Sequence, residues 1–255
     1  MMLRLKELAH LLMTYALRCM IWLRLPNKSF PAGSIMVVAP HPDDEIIGAG
    51  GVILHALAQG QVVHLVYLTE GEAACPAKPA RQVKTQRRAL TQQVAHHLGL
   101  SSSHQHYLGL ADGALPQRGQ PGYLAAQQAL QQLIATLQPD HVLATHEMDY
   151  WPFDHVACAH LAEDAVVAAG HRANLFFYWV WAWYNLRPCQ LPRAAYSGLF
   201  AVSTTAVASQ KQHLVSTYLD ARADDGSRWS GELPVALRRA SRFTVEILQQ
   251  RVQGQ

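Results

Sequence analysis

Two short segments of this chain concentrate side chains able to do chemistry. The first reads Pro40-His41-Pro42-Asp43-Asp44-Glu45, and the second His146-Glu147-Met148-Asp149-Tyr150-Trp151-Pro152-Phe153-Asp154-His155. One imidazole and one carboxylate from the first, with an imidazole from the second, make a three-ligand set for a divalent metal. Mixed nitrogen and oxygen ligands suit zinc or a similar ion, with one position left open for water. A further carboxylate beside such a set serves a metal hydrolase as general base. A plainer reading exists for each segment. Asp43, Asp44 and Glu45 also suit the cap and first turn of a helix, where acids complement the dipole. His155 equally suits the exposed start of a later helix.

The two segments meet only if the fold delivers them to one edge, and the pattern of the chain provides for that. Residues 34–39 (SIMVVA) form a short continuous apolar run, as expected of a strand covered on both faces. Further strands are predicted over 61–68, 106–110, 141–145, 175–184 and 199–203. Helices are predicted over 45–59, 82–98, 123–137, 154–169, 205–219 and 233–252. Strands alternating with helices imply an α/β, Rossmann-like, mostly parallel sheet with helices on both faces. In such a sheet the ligand site lies beyond the carboxyl ends of the strands, where both segments fall. The aromatic run over 175–184 (LFFYWVWAWY) packs one face into the core, and its other face could offer a platform to a sugar or lipid. No repeat or long linker divides residues 26–255, which read as one domain, with residues 1–25 as an added amphipathic helix.

The first segment resembles the A/P-H-P-D-D-E hallmark of the PIG-L/LmbE-like zinc-dependent de-N-acetylases. The similarity extends from residue 34 to about residue 220. It takes in the small residues Gly48-Ala49-Gly50-Gly51, the second-strand exit Leu68-Thr69-Glu70-Gly71-Glu72, and Asp112-Gly113 after the third strand. Asp154-His155 resembles the end of the family's H-P-D-H motif, and Arg87 an arginine of its second helix, although Leu90 stands where an acid is usual. The resemblance implies a Rossmann-like domain carrying one Zn2+ held by His41, Asp44 and His155, with Asp43 as general base. It implies removal of acetyl groups from N-acetylglucosamine-containing conjugates. Glu45 and Asp154 are then expected to orient the loop and the imidazole. Pro152 departs from the family, because H-P-D-H begins with a histidine that stabilises the tetrahedral intermediate. His146 and Tyr150 lie in the same loop and are the expected replacements.

Composition narrows the setting. The 255 residues carry 21 Lys and Arg against 18 Asp and Glu, and 50% are hydrophobic, which excludes disorder. The small positive excess, with no long basic run, argues against nucleic acid as partner. Cys19, Cys75, Cys158 and Cys189 form no C-x-x-C pair and no disulfide framework, so a cytoplasmic location is expected. Charges interrupt residues 1–25 too often for a spanning helix or a signal peptide. Glu7, His10, Thr14 and Arg18 recur at helical spacing as a narrow polar stripe. That helix is expected either on the inner face of an anionic membrane, as a peripheral contact, or packed on the domain or another subunit. The sequence leaves the oligomeric state open. The leading function is deacetylation of an N-acetylhexosamine in a lipopolysaccharide or glycolipid intermediate. A small thiol-sugar or antibiotic precursor is the alternative substrate, and a lapsed sugar-binding or scaffold protein the alternative class.

Overall fold

The computed structural model describes residues 2–170, 172–190 and 198–251. The run Ile35–Ala39 is β1, buried along its whole length as a doubly covered strand must be. It pairs in parallel with β2 (Val63–Thr69) on one side and β4 (His141–Thr145) on the other. Beyond β2 lies β3 (Gln105–Leu110), and beyond β4 lies β5 (Asn174–Tyr178), again in parallel. Two further strands, β6 (Leu199–Ser203) and β7 (Val245–Arg251), complete a seven-stranded sheet of order β3-β2-β1-β4-β5-β7-β6. Chain order reverses between β1 and β4. A ligand site is expected in the crevice at that reversal, beyond the strand ends.

Helices cover both faces. α2 (Asp44–Ala58), α3 (Ala80–His97) and α7 (Ala208–Leu219) pack through Ile46, Ile53, Val94 and Leu214 onto Val37, Leu65 and Phe176. On the opposite face, α4 (Tyr123–Leu137) and α5 (Phe153–Ala168) bury Leu130, Ile134, Leu161 and Ala165 against Met36, Val38 and Val142. The small residues of α2 are needed for its close approach to the sheet. A Cβ on Gly48 would lie 2.2 Å from the Tyr178 ring, and one on Gly51 would lie 2.1 Å from Thr204 Cγ2.

Two expectations are corrected. The helix expected over 233–252 is instead the short α8 (Val235–Ala240) followed by β7, which runs antiparallel between β5 and β6. Val252 lies outside the described residues. Residues 245–250 (VEILQQ) contain good helix formers, and slotting between two strands overrides that preference. The strand expected over 175–184 ends at Tyr178, and a turn then leads into α6 (Ala182–Asn185). Its tryptophans therefore leave the sheet and pack between elements. Trp179 and Trp183 join Leu17, Ile21 and Phe243 beneath α1 (Met2–Arg24), whereas Trp181 reaches the crevice.

Candidate metal centre and its cleft

The loop after β1 turns directly into α2, and its backbone is strained at the turn. Asp43 adopts φ 102°, a conformation rare for a residue with a side chain and one that Asp and Asn tolerate best. Glu45 holds the loop in place. One carboxylate oxygen accepts the Asp43 N–H at 2.9 Å, and the other accepts the hydroxyls of Tyr67 and Tyr218 at 3.1 and 2.7 Å. Burial lifts the Glu45 carboxyl to about 8, against the opposing pull of those hydroxyls. At the β4 exit, Asp154 accepts the N–H groups of Gly113 and Leu115 at 2.8 and 3.0 Å. This ties the start of α5 to the turn after β3.

These loops bring His41, Asp44 and His155 together. One candidate ligand atom from each lies within 4.8 Å of the other two. Asp44 Oδ2 stands 3.1 Å from His41 Nδ1 and 3.3 Å from His155 Nε2. His155 is fully buried, and its Nδ1 faces Asp149 Oδ2 at 3.1 Å. A carboxylate only accepts, so Nδ1 carries a hydrogen, and Nε2 is the nitrogen left to face an ion beside Asp44. That Nε2 has no hydrogen-bond partner. A ring nitrogen and a carboxylate facing each other in a buried site call for a positive charge between them, a proton or a metal cation, and the donor set suits a divalent metal ion.

The electrostatics agree. Burial disfavours the protonated form of His41, but the carboxylates of Asp112, Asp154 and Asp44 outweigh it and raise the pKa well above the ordinary value. His155 behaves alike, lifted to about 9 by Asp44 and Asp149 against its burial. For Asp44, burial is overcome by His155 and His41, and its carboxyl stays far below the usual range. The cluster is thus built to hold positive charge. A second grouping shares His41, whose Nε2 lies 3.1 Å from Asp112 and 3.2 Å from Asp154.

Asp43 stands beside this cluster and lines the same cleft, a cavity of about 460 Å³. Its Oδ2 accepts from the Arg87 guanidinium at 3.2 Å, and a second Arg87 bond goes to the Pro42 carbonyl. Burial raises the Asp43 carboxyl to about 6, with Arg87 opposing. Trp151 and Trp181 meet edge to face at 5.0 Å and form an aromatic wall of the cleft. Pro152 also lines it.

His146 and Tyr150 do not line this cleft. His146 is buried and packs against Phe177. Its Nδ1 accepts the Met148 N–H at 2.9 Å, so its Nε2–H donates to Gln249. Burial lowers its pKa and keeps the ring neutral. The Tyr150 hydroxyl donates to the Asn185 carbonyl at 2.8 Å. Neither group points at a substrate in the cleft.

Two carboxylates were missed as site residues. Asp112 follows β3, and the rule that sites gather at strand exits could have found it. Asp149 falls in the β4 exit by the same rule, but only the meeting of the β4 and β5 exits sets its orientation. It is fully buried, with Oδ2 accepting from His155 and the Val180 N–H, and Oδ1 from the Ala182 N–H.

A family model for GlcNAc-PI de-N-acetylase (PIG-L) matches residues 36–166, the stretch from β1 to α5 that holds this constellation. The chain belongs to the PIG-L family. It is similar to 4-oxalmesaconate hydratase of Pseudomonas putida, with 31% identity over 150 residues. That match takes in 56% of this chain and 55% of the relative, so about half of the hydratase is spanned. Among solved structures, the conserved protein TT1542 of Thermus thermophilus is 30% identical at a TM-score of 0.57, covering 73% of this chain and 78% of that one. The N,N'-diacetylchitobiose deacetylase of Pyrococcus horikoshii shares the fold at 22% identity and a TM-score of 0.57, covering 82% of this chain and 78% of that one.

Within this PIG-L site, Asp149 offers a direct measurement. Both its oxygens face N–H donors, so an amide there must turn its NH2 group against one of them. Asp149→Asn is expected to lower the affinity for Zn2+ by about 10–100-fold, through loss of the His155 anchor. Competition against a metal-sensitive dye reads this, and an unchanged dissociation constant would show that Asp149 does not orient His155.

Proposed function

We propose that this chain hydrolyses the acetamide of an N-acetylhexosamine, N-acetylglucosamine by its family resemblance, in a glycoconjugate such as a lipopolysaccharide or glycolipid intermediate. The observation that supports this most strongly is the buried His41–Asp44–His155 cluster with Asp43 beside it on one cleft. Those three residues would hold the ion, Zn2+ in this reading. Bound there, zinc supplies a Lewis acid and brings the pKa of a water to about 7.

The chain's own groups then have distinct tasks. Asp43 takes the proton from the attacking water and returns it to the nitrogen as the carbon–nitrogen bond breaks. The products are acetate and a free amine. Arg87 fixes the Asp43 carboxylate through Oδ2 and anchors its loop through the Pro42 carbonyl. Asp149 orients His155, while Asp112 and Asp154 hold His41. The edge-to-face pair Trp151 and Trp181 gives a sugar an apolar wall to lie against. With Pro152 at the family histidine, and His146 and Tyr150 turned to other partners, that loop offers no side chain to the developing oxyanion, whose charge the ion would be left to offset.

The test is an assay for acetate and free amine with N-acetylglucosamine-containing conjugates, run with added Zn2+ and with chelator. Metal-loaded protein that releases acetate from none of them would sink the reading. The 31% identity to a hydratase favours a second one, addition of water to a substrate that has no leaving group. Consumption of 4-oxalmesaconate without acetate release would select it.

A further inference from the structure

α1 is turned the opposite way from an ordinary surface helix. The His10, Thr14 and Arg18 part of its polar stripe faces the protein, while Glu7 is exposed. The His10 ring stacks on Tyr184 at 4.4 Å, Thr14 is buried with its hydroxyl against the Trp183 carbonyl, and the Arg18 guanidinium lies over Phe243 at 4.6 Å. Leu17, Ile21 and Leu25 fill the gaps between them. The outward face is left to Leu5, Leu8, Leu12, Tyr15, Trp22 and Leu23, with Leu12 62%, Trp22 81% and Leu23 72% exposed. From Leu5 to Leu23 this face runs about 27 Å at 1.5 Å per residue. An apolar stripe of that length on a water-facing helix marks an interaction surface.

We infer that the outward face of α1 docks on an anionic lipid bilayer, with the helix lying in the plane of the membrane surface. Charge selects this occupant. Residues 1–28 hold five Lys and Arg and one Glu, a net +4, whereas the whole chain carries +3. All of the chain's positive excess therefore sits in the segment that carries the apolar face, and the remainder is slightly acidic. Lys6 and Arg24, five turns apart, share one exposed line of the helix, from which long basic side chains can reach headgroups while their stems stay apolar. No described helix is long and apolar enough to cross a membrane, so the helix lies on the surface. A second copy of this chain fits less well. Its α1 would bring the same net positive charge against this one, with only Glu7 to answer it.

The surface is also linked to the cleft. Ring contacts run from His10 to Tyr184 at 4.4 Å, on to Trp181 at 6.0 Å and to Trp151 at 5.0 Å. Docking through α1 therefore holds the membrane next to the elements that form the aromatic wall. The inference stands on α1 alone, and its test does not use the reaction.

The full chain is sedimented with vesicles of phosphatidylcholine and with vesicles containing phosphatidylglycerol as well. It is expected to pellet with the second and to be released by high salt. Lys6→Gln should weaken that binding roughly fivefold, the share of one basic residue near an anionic surface. Leu8→Glu/Leu12→Glu should stay in the supernatant with wild-type circular dichroism and metal content, since both leucines are exposed. Three results would overturn the inference. They are a wild-type chain that ignores the anionic vesicles, a double variant that pellets as well as wild type, or a dimer in solution that the double variant turns into a monomer.

Discussion

Asp43→Asn is expected to lower turnover in the proposed deacetylation by about 10²–10⁴-fold and to leave metal binding intact. Asparagine isolates the proton-transfer role better than alanine does. At φ 102° the backbone favours Asp, Asn or Gly, so Asn keeps the turn into α2 without added strain. Its side-chain oxygen also still accepts from Arg87, whose charge is buried at the cleft. Alanine would lose both and mix folding with chemistry. His155→Ala is the matched control, because it removes a candidate ligand and leaves Asp43 intact. Elemental analysis beside an acetate assay separates the two. Metal retained with activity lost assigns the base to Asp43, and near-wild-type turnover in Asp43→Asn would remove it from the mechanism.

How much of this site could be read from the sequence follows from how local each part is. His41, Asp43, Asp44 and Glu45 lie within one five-residue run directly after the apolar stretch of β1, which places them at a strand exit. His155 required only the further step that β1 and β4 are parallel neighbours, which the alternating pattern supplies. Asp149 and Asp112 are different. Asp112 takes its meaning from His41 on another loop, and Asp149, six residues before His155, is fixed only where the Val180 and Ala182 N–H groups beyond β5 meet it. The same limit explains β7. Ile247 and Leu248 face opposite sides of the sheet and both are buried, so the stretch lacks the polar alternation that marks a strand. Between them and the β6 end of the strand sits Glu246, which looks solvent-bound in sequence and is 2% exposed in the fold.

The helix stripe taught the converse lesson. Glu7, His10, Thr14 and Arg18 were legible as one face of α1, but periodicity says which residues share a face and not which way the face points. Tyr184, the Trp183 carbonyl and Phe243 turn it inward, and all three come from the far end of the chain.

Lys211→Met is expected to destabilise the fold by about 3–5 kcal/mol, because it breaks a buried ion pair and leaves the other charge behind. Lys211 Nζ lies 2.6 Å from Glu246 Oε1, and both side chains are almost fully buried between α7, β7 and α2. The pair reaches into the middle of α2. Lys211 donates to the Ile47 carbonyl at 3.0 Å, while Glu246 accepts the Gly51 and Val52 N–H groups at 2.6 and 3.0 Å. In a regular helix, Ile47 and Gly51 would be partners to each other. The ion pair therefore fixes the helix whose first turn presents Asp44. Glu246→Gln should cost a similar amount, since it strands the Lys211 ammonium. Lys211→Met/Glu246→Gln should cost less than the two single losses together, because neither charge is then left buried and unpaired. Thermal melts read the difference at roughly 2–4 °C per kcal/mol for a chain of this size. Strictly additive losses would show that the two charges do not act as a unit. A weaker affinity for Zn2+ in the single variants, measured below their melting range, would show that the pair steadies Asp44 as well as the fold.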